Sequence, residues 1–146
     1  MEVRRAVPAD AEALAALRAE WGAETGDPVG EEFRATFKDW VAETAATHTA
    51  FVAVDGDEVV GMAFLADLPR PPSAGVGRRL HGDLQSVYVR PPYRDAGTGT
   101  ALVAAVVAEA RRRGMTRLVV QSGTRAVTLY ERAGFAASDR LLRMDI

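Results

Sequence analysis

A mixed α/β domain is the fold class that the sequence predicts, and three observations predict it. The chain has 146 residues, a length that fits one domain with a sizeable core. Short apolar runs of strand character are interspersed with longer runs of helical period, with no linker or internal repeat between them. A glycine-bearing turn, Arg94-Asp95-Ala96-Gly97-Thr98-Gly99, joins the last residues of a strand-like run to a long Ala/Val-rich helical one.

In order along the chain, Glu2 to Val7 reads as a short strand. Pro8 and Asp10 suit a helix start, through a fixed φ and an acid in the first turn. Leu14, Leu17 and Trp21 recur at helical spacing and are expected to face the core. Gly22 to Gly30 is polar and glycine-bearing, a loop. A second helix is expected over Glu31 to Thr44, where Phe33, Phe37, Trp40 and Val41 fall on one face. Thr49 to Val54 and Glu58 to Leu65 are strands, joined by the tight-turn signal Asp55-Gly56. Pro69 to Gly77 is too rich in Pro and Gly for regular structure and is expected to be a surface loop. The strand Leu84 to Val89 stops at Pro91-Pro92, which cannot donate ladder bonds. The helix Thr100 to Arg113 ends on three arginines and Gly114, which suits the negative end of its dipole and a C-cap. Arg117 to Gln121 is a strand, Arg125 to Ala133 a helix stopped by Gly134, and Leu141 to Ile146 a final strand. The predicted order is β-α-α-β-β-β-α-β-α-β, one domain over residues 1–146.

Composition removes several function classes. Hydrophobic content of 48% and charged content of 26% are globular values. A net charge of −2 gives no global drive toward nucleic acid or anionic membrane. There is no cysteine, so a disulfide, a cysteine-ligated metal and a cysteine nucleophile are all excluded. With only His48 and His81, no metal site is expected. No apolar run approaches the roughly 20 residues that span a bilayer, and Met1 to Arg5 lacks a signal peptide's apolar core. The expectation is a cytoplasmic protein without membrane or nucleic-acid partners.

The glycine turn carries the chemistry. A turn between a strand and the first turn of a helix aims several backbone N–H groups and the positive end of the helix dipole at one spot, the arrangement that grips a phosphate or pyrophosphate. Two fingerprints do not fit. A dinucleotide motif wants a third glycine where Leu102 stands, and a Walker loop wants a lysine that Thr98-Gly99-Thr100 lacks. What remains is Arg-x-x-Gly-x-Gly.

From Leu84 to Phe135 the chain resembles the GCN5-related N-acetyltransferase (GNAT) family. The strand Val87-Tyr88-Val89, then Arg90-Pro91-Pro92-Tyr93, then Arg94-x-x-Gly97-x-Gly99-Thr100 is similar to the family's acetyl-CoA motif. Ala126-Val127-Thr128-Leu129-Tyr130-Glu131-Arg132-Ala133-Gly134-Phe135 is similar to its second signature, Ala-x-x-Leu/Phe-Tyr-x-x-x-Gly-Phe. The resemblance implies the acyl-CoA N-acyltransferase fold, an α/β (α+β) architecture whose twisted mixed sheet, flanked by helices, splays at its central strand to hold acetyl-CoA. It implies that backbone groups of Val87, Tyr88 and Val89 pair with the pantetheine arm, and that a strand N–H there polarises the thioester carbonyl. Backbone N–H groups of Asp95, Ala96, Gly97, Thr98, Gly99 and Thr100 would bind the pyrophosphate, with Arg94 adding charge. Tyr130 is the expected proton donor to the leaving thiolate, since a phenol near pKa 10 can share a proton with a thiol near 8.5.

Two positions depart from the family pattern. Asp95 stands where many members have glycine, and Gly123 stands where many have asparagine, leaving Ser122 or Thr124 as substitutes. An alkylammonium must lose its proton before it attacks. By period-2 alternation Asp83, Gln85, Val87 and Val89 share one strand face, which makes Asp83 a candidate base. His81 is another, and a water relay a third. Glu20, Glu24, Asp27, Glu31 and Asp67 form either an acidic rim for a cationic amine or an ordinary solvated surface. The arginine runs at 78–79 and 111–113 raise RNA contact, but helix capping accounts for the second and the net charge opposes it.

The expected function is acetyl transfer from acetyl-CoA to a primary amine by direct attack in a ternary complex, without metal. The acceptor is expected to be a small molecule. A protein lysine or N-terminus, and an acyl-CoA-binding regulatory module without turnover, are the alternatives. Family habit allows a homodimer, and no residue argues for one.

Overall fold

A computed structural model describes all of residues 1–146. Its elements are β1 (Glu2–Arg5), α1 (Ala11–Glu24), α2 (Glu31–Glu43), β2 (His48–Asp55), β3 (Glu58–Ser73), β4 (Gly77–Val89), α3 (Thr98–Arg112), β5 (Arg117–Val120) and α4 (Val127–Arg132). The five strands form one sheet in the order β1-β2-β3-β4-β5. The first four pair antiparallel, and β5 joins β4 in parallel. This is the mixed sheet flanked by helices that the sequence predicts.

Each sheet face buries its own apolar set. On one face, Phe51, Ala53, Val60, Ala63, Leu65 and Leu84 meet Leu102, Val103, Val106 and Ala110 of α3. On the other, Val52, Met62, Phe64 and Tyr88 meet Leu14 and Leu17 of α1, with Trp21, Phe37, Trp40 and Val41 packed around them. The helical spacing read from the sequence is what brings these side chains onto the inner faces of α1 and α2. Ten of the buried side chains are essentially inaccessible, Phe64 the largest of them. Burying a side chain of that kind contributes about 1.5–3 kcal/mol.

Two expectations fail, each for a structural reason. The Pro-rich segment 69–77 is not an irregular loop. It is the projecting end of a long β3–β4 hairpin, with Pro69 opposite Leu80 and Arg70 opposite Arg79. β2 pairs with β3 only as far as Ala66, so beyond that point β3 is an edge strand. Pro69 therefore sits where a missing N–H costs no ladder bond, and Pro71 and Pro72 fall in the register shift between Arg70 and Ser73, outside the regular ladder. The second failure is the last strand. Residues 141–146 form no strand, and Leu141, Leu142, Met144 and Ile146 are exposed. Apolar/polar alternation does not make a strand unless a neighbour accepts its backbone hydrogen bonds, and none pairs there.

Candidate active site

β4 and β5 pair only from His81 to Leu84 and from Arg117 to Val120. Past Leu84 the two strands no longer pair, and the sheet is split along the last residues of β4. β4 is deformed at the same place. Met62 pairs with Tyr88 and Phe64 with Gln85, so two residues of β4, Ser86 and Val87, stand against the single Ala63. Ser86 takes a left-handed φ of 51°. That is a β-bulge, which bends the strand and leaves backbone groups outside the ladder.

The bulge overturns one sequence expectation. Asp83, Gln85, Val87 and Val89 do not share a face. Gln85 lies opposite Phe64 and donates a 2.9 Å hydrogen bond to Asp83, so both project from the α1/α2 face. Val87 and Val89 pack against the α3-side core. One inserted residue moves every later side chain to the other face. The spacing Leu84, Val87, Val89, a step of three and then of two among residues that pack on the same side, is the signal that period-2 counting passed over.

At the end of the split the chain turns through Pro91–Tyr93 and enters the glycine turn. Thr98 to Thr100 open α3, and the first helical N–H to find an acceptor near the turn is Ala101, on Gly97 at 2.9 Å. The N–H groups of Asp95, Ala96, Gly97, Thr98, Gly99 and Thr100 make no hydrogen bond to the protein. Gly97, at φ 85°, sits in the left-handed region, which turns the preceding peptide units toward the helix N-terminus. Thr98 is buried, and its hydroxyl donates to the Tyr93 carbonyl at 3.1 Å, pinning the turn to the segment before it. Six consecutive donors at a helix N-terminus fit a pyrophosphate.

Asp95 is the second non-glycine residue with positive φ, at 58°. Asp tolerates this region better than most side chains, and its side chain is exposed. Asp95→Gly removes a carboxylate from this donor-rich turn. A unit charge about 4 Å away in water is worth about 1 kcal/mol, so acetyl-CoA is expected to bind about fivefold more tightly. The relief of left-handed strain and the added chain entropy of glycine oppose each other at about 1 kcal/mol each. Tm should therefore stay near the parent value while the calorimetric Kd falls. An unchanged Kd would place the turn away from the phosphates.

Arg94 is placed at the turn but is not free. Its Nε donates to the Val89 carbonyl at 2.8 Å, and Nη2 meets both Glu24 oxygens at 2.9 and 2.8 Å. The Tyr88 hydroxyl donates to the same Glu24 at 2.6 Å, and the Tyr88 ring stacks on Trp21 with centroids 5.8 Å apart. The hydrogen bonds from Tyr88 and then Arg94 hold the Glu24 carboxyl below its ordinary range. Burial first, and the Glu24 carboxylate second, push the Tyr88 phenol far up. Arg90 bridges α1 and β3 in the same way, gripping Glu20 at 2.7–2.8 Å and also meeting Glu58. Glu24 and Arg90 as clamps were not legible in the sequence, since each is joined to its partner across 70 residues of chain.

Three of the five acids of the expected rim are paired with arginines. Glu20 belongs to Arg90, Glu24 to Arg94 and Tyr88, and Asp67 to Arg113 at 2.7 Å. Ser122, a proposed stand-in for the missing asparagine, donates to the Gly123 carbonyl beside it.

α4 brings the second motif to the first. A Cβ on Gly99 would meet Leu129 at 3.5 Å and Val89 at 3.9 Å, so α4 lies against the start of α3 and the end of β4. Tyr130 is buried in the α3-side core, edge-on to Phe135 with centroids 5.7 Å apart. Its hydroxyl makes no hydrogen bond to the protein and is not sealed from solvent. Burial raises its pKa above 10, so the phenol stays protonated at neutral pH. His81 lies beyond Asp83 on β4, opposite Arg117. Burial, then Arg117, Arg79 and Arg70, lower its pKa and hold it neutral.

Residues 14–135 match the acetyltransferase (GNAT) family. This chain belongs to that family. The GNAT chain is 33% identical over 88 residues to the glucosamine 6-phosphate N-acetyltransferase of Trypanosoma brucei brucei, a match spanning 60% of this chain and 58% of that relative. It is 32% identical over 144 residues to the aminoglycoside N(6')-acetyltransferase type 1 of Stenotrophomonas maltophilia, covering 96% and 89% of the two chains. Among solved structures, a predicted acetyltransferase of Clostridium acetobutylicum crystallised with acetyl-CoA superposes with a TM-score of 0.83 at 18% identity, covering 99% of this chain and 95% of that one. An acetyltransferase of Trypanosoma brucei superposes with a TM-score of 0.75 at 26% identity, covering 99% of both. The fold, the family and the acetyl-CoA-dependent acetyltransferase class expected from Leu84 to Phe135 agree with these matches. No helix of the chain is long and apolar enough to cross a membrane.

Proposed function

We propose that residues 1–146 act as one cytoplasmic domain that moves the acetyl group of acetyl-CoA to a primary amine of a small molecule, by direct attack in a ternary complex. The run of six unpaired N–H groups at the end of the β4–β5 split, with Tyr130 on the neighbouring helix, carries this reading. The turn from Asp95 to Thr100 would hold the pyrophosphate, and the β5-side edge of β4 from Val87 to Val89, where the Val89 carbonyl already accepts from Arg94, the pantetheine. Acetyl-CoA supplies an acyl group already activated as a thioester. The names of the trypanosomal and Stenotrophomonas relatives denote small amine acceptors, which supports that class for this chain.

The bulge divides the labour. Asp83 projects on the α1/α2 face and Tyr130 packs on the α3 side, so base and acid flank the split from opposite sides. The amine approaches from the Asp83 side and its nitrogen bonds to the carbonyl carbon as the C–S bond breaks. Asp83 takes the proton that the amine gives up. Tyr130 gives one to the departing thiolate. Backbone N–H groups left outside the ladder at the bulge face the developing oxyanion.

Calorimetric titration with acetyl-CoA, followed by CoA-release assays on an amine panel, tests the reading. Micromolar binding with release on one amine class supports it, and binding without release on any amine overturns it. Asp83→Asn is expected to lower kcat by about 10²-fold, the lower end of what general base catalysis contributes. An unchanged kcat would hand the proton to water.

A further inference from the structure

The polar row on the α1/α2 face of β4 continues past Asp83. Arg79, His81, Asp83 and Gln85 alternate along the strand before the bulge and share that face. Arg70 of β3 stands directly opposite Arg79, and Arg117 of β5 directly opposite His81. Partners in register share a face, so three guanidinium groups border the same row. Asp67, the nearest acid on β3, lies opposite Gly82 on the other face and is held by Arg113.

None of the three arginines forms a salt bridge; every salt bridge of the chain lies elsewhere. Like charges directly opposite across a ladder repel, and Arg70 and Arg79 carry that repulsion with no counter-charge. The contrast with the acids is the informative part. Of the five acids that could have drawn a cationic acceptor, Glu20, Glu24 and Asp67, the one nearest this row, are each taken by an arginine. What the row offers in excess is positive charge.

We propose that Arg70, Arg79 and Arg117 form an anion site for the acceptor, so that the substrate is a small amine that also carries a phosphate or carboxylate. This rests on the acetyltransferase reading, with the amine at Asp83. Arg117 stands two residues along and one strand over from Asp83. That is about 7 Å along the strand and about 4.8 Å across it, so the anionic group lies roughly 7–10 Å from the reacting nitrogen. His81, held neutral between them, adds a hydrogen-bonding group without adding charge. A polyamine or a polycationic amine antibiotic is a poor fit to such a surface.

The matched probes are glucosamine 6-phosphate and glucosamine, which differ only in the phosphate, with spermidine as the polycation. Each is titrated calorimetrically into the full chain saturated with CoA, and each is assayed for CoA release from acetyl-CoA. The phosphate ester is expected to bind at least tenfold more tightly than glucosamine and to show the higher kcat/KM. Arg117→Gln, and independently Arg79→Gln, should bring the two ligands to parity through KM while acetyl-CoA affinity stays at the parent value and Tm does not fall. Equal binding of both sugars by the parent protein, a preference for spermidine, or a phosphate preference that survives both substitutions would overturn the site. Selective binding without CoA release would keep the anion site and remove the transferase. Equal turnover of both sugars would do the reverse.

Discussion

Tyr130→Phe is expected to lower kcat at least tenfold and leave acetyl-CoA affinity unchanged. The substitution removes one oxygen. The ring still packs on Phe135, and no protein hydrogen bond is lost, because the hydroxyl has none. Stability should therefore hold, which separates a chemical effect from a folding one. A tenfold loss corresponds to about 1.4 kcal/mol of transition-state stabilisation, modest for a positioned general acid. The pH profile gives a second check. An acid must be protonated to act, so its contribution falls as pH rises through its pKa. Burial raises Tyr130 above 10, so no loss of rate below pH 9 is expected from this group. A basic limb near pH 8, or an unchanged kcat in the Phe variant, would assign the proton to another donor.

Gly97→Glu is expected to abolish acetyl-CoA binding, with Kd raised more than a hundredfold. The residue is the N-cap of α3 at φ 85°. An L side chain there costs about 1–2 kcal/mol in backbone strain, which lowers Tm by a few degrees in a domain of this size. The larger effect is electrostatic. The new carboxylate stands before the N–H groups that a pyrophosphate would use and repels it. Gly97→Ala carries the strain without the charge and should lose far less affinity. Equal losses in the two variants would mean that backbone shape, not anion binding, is what the glycine provides. Parent-like binding by the Glu variant would remove the turn from the cofactor site.

The reach of the sequence differs between local and long-range features. Arg94 to Gly99 could be read as an anion-binding turn because its geometry is set by neighbouring residues: a strand end, two prolines, a glycine in the left-handed region and a helix start. Leu14, Leu17, Phe37 and Trp40 could be placed in the core because helical period is a local property. Tyr130 could be singled out because its motif is contained in ten consecutive residues. Ser86 did not follow. A bulge is a relation between two strands, and its one extra residue reverses the face of everything after it. The same holds for the hairpin at 69–77, where prolines read as loop signals become tolerable edge-strand residues because β2 stops short.

By itself the sequence determined the order of elements up to α4, the donor-rich turn before α3 and the family to which those motifs belong. Only the tertiary structure decided which charges remain free. From the sequence five acids could be either a rim or an ordinary solvated surface; in the fold Glu20, Glu24 and Asp67 are spent on arginines, and Arg70, Arg79 and Arg117 gather on one face of three different strands. Charge pairing depends on distances between segments far apart in the chain, and an ion pair falls off or is screened within about 10 Å. Spacing along the sequence does not fix those distances; the register of β3, β4 and β5 does.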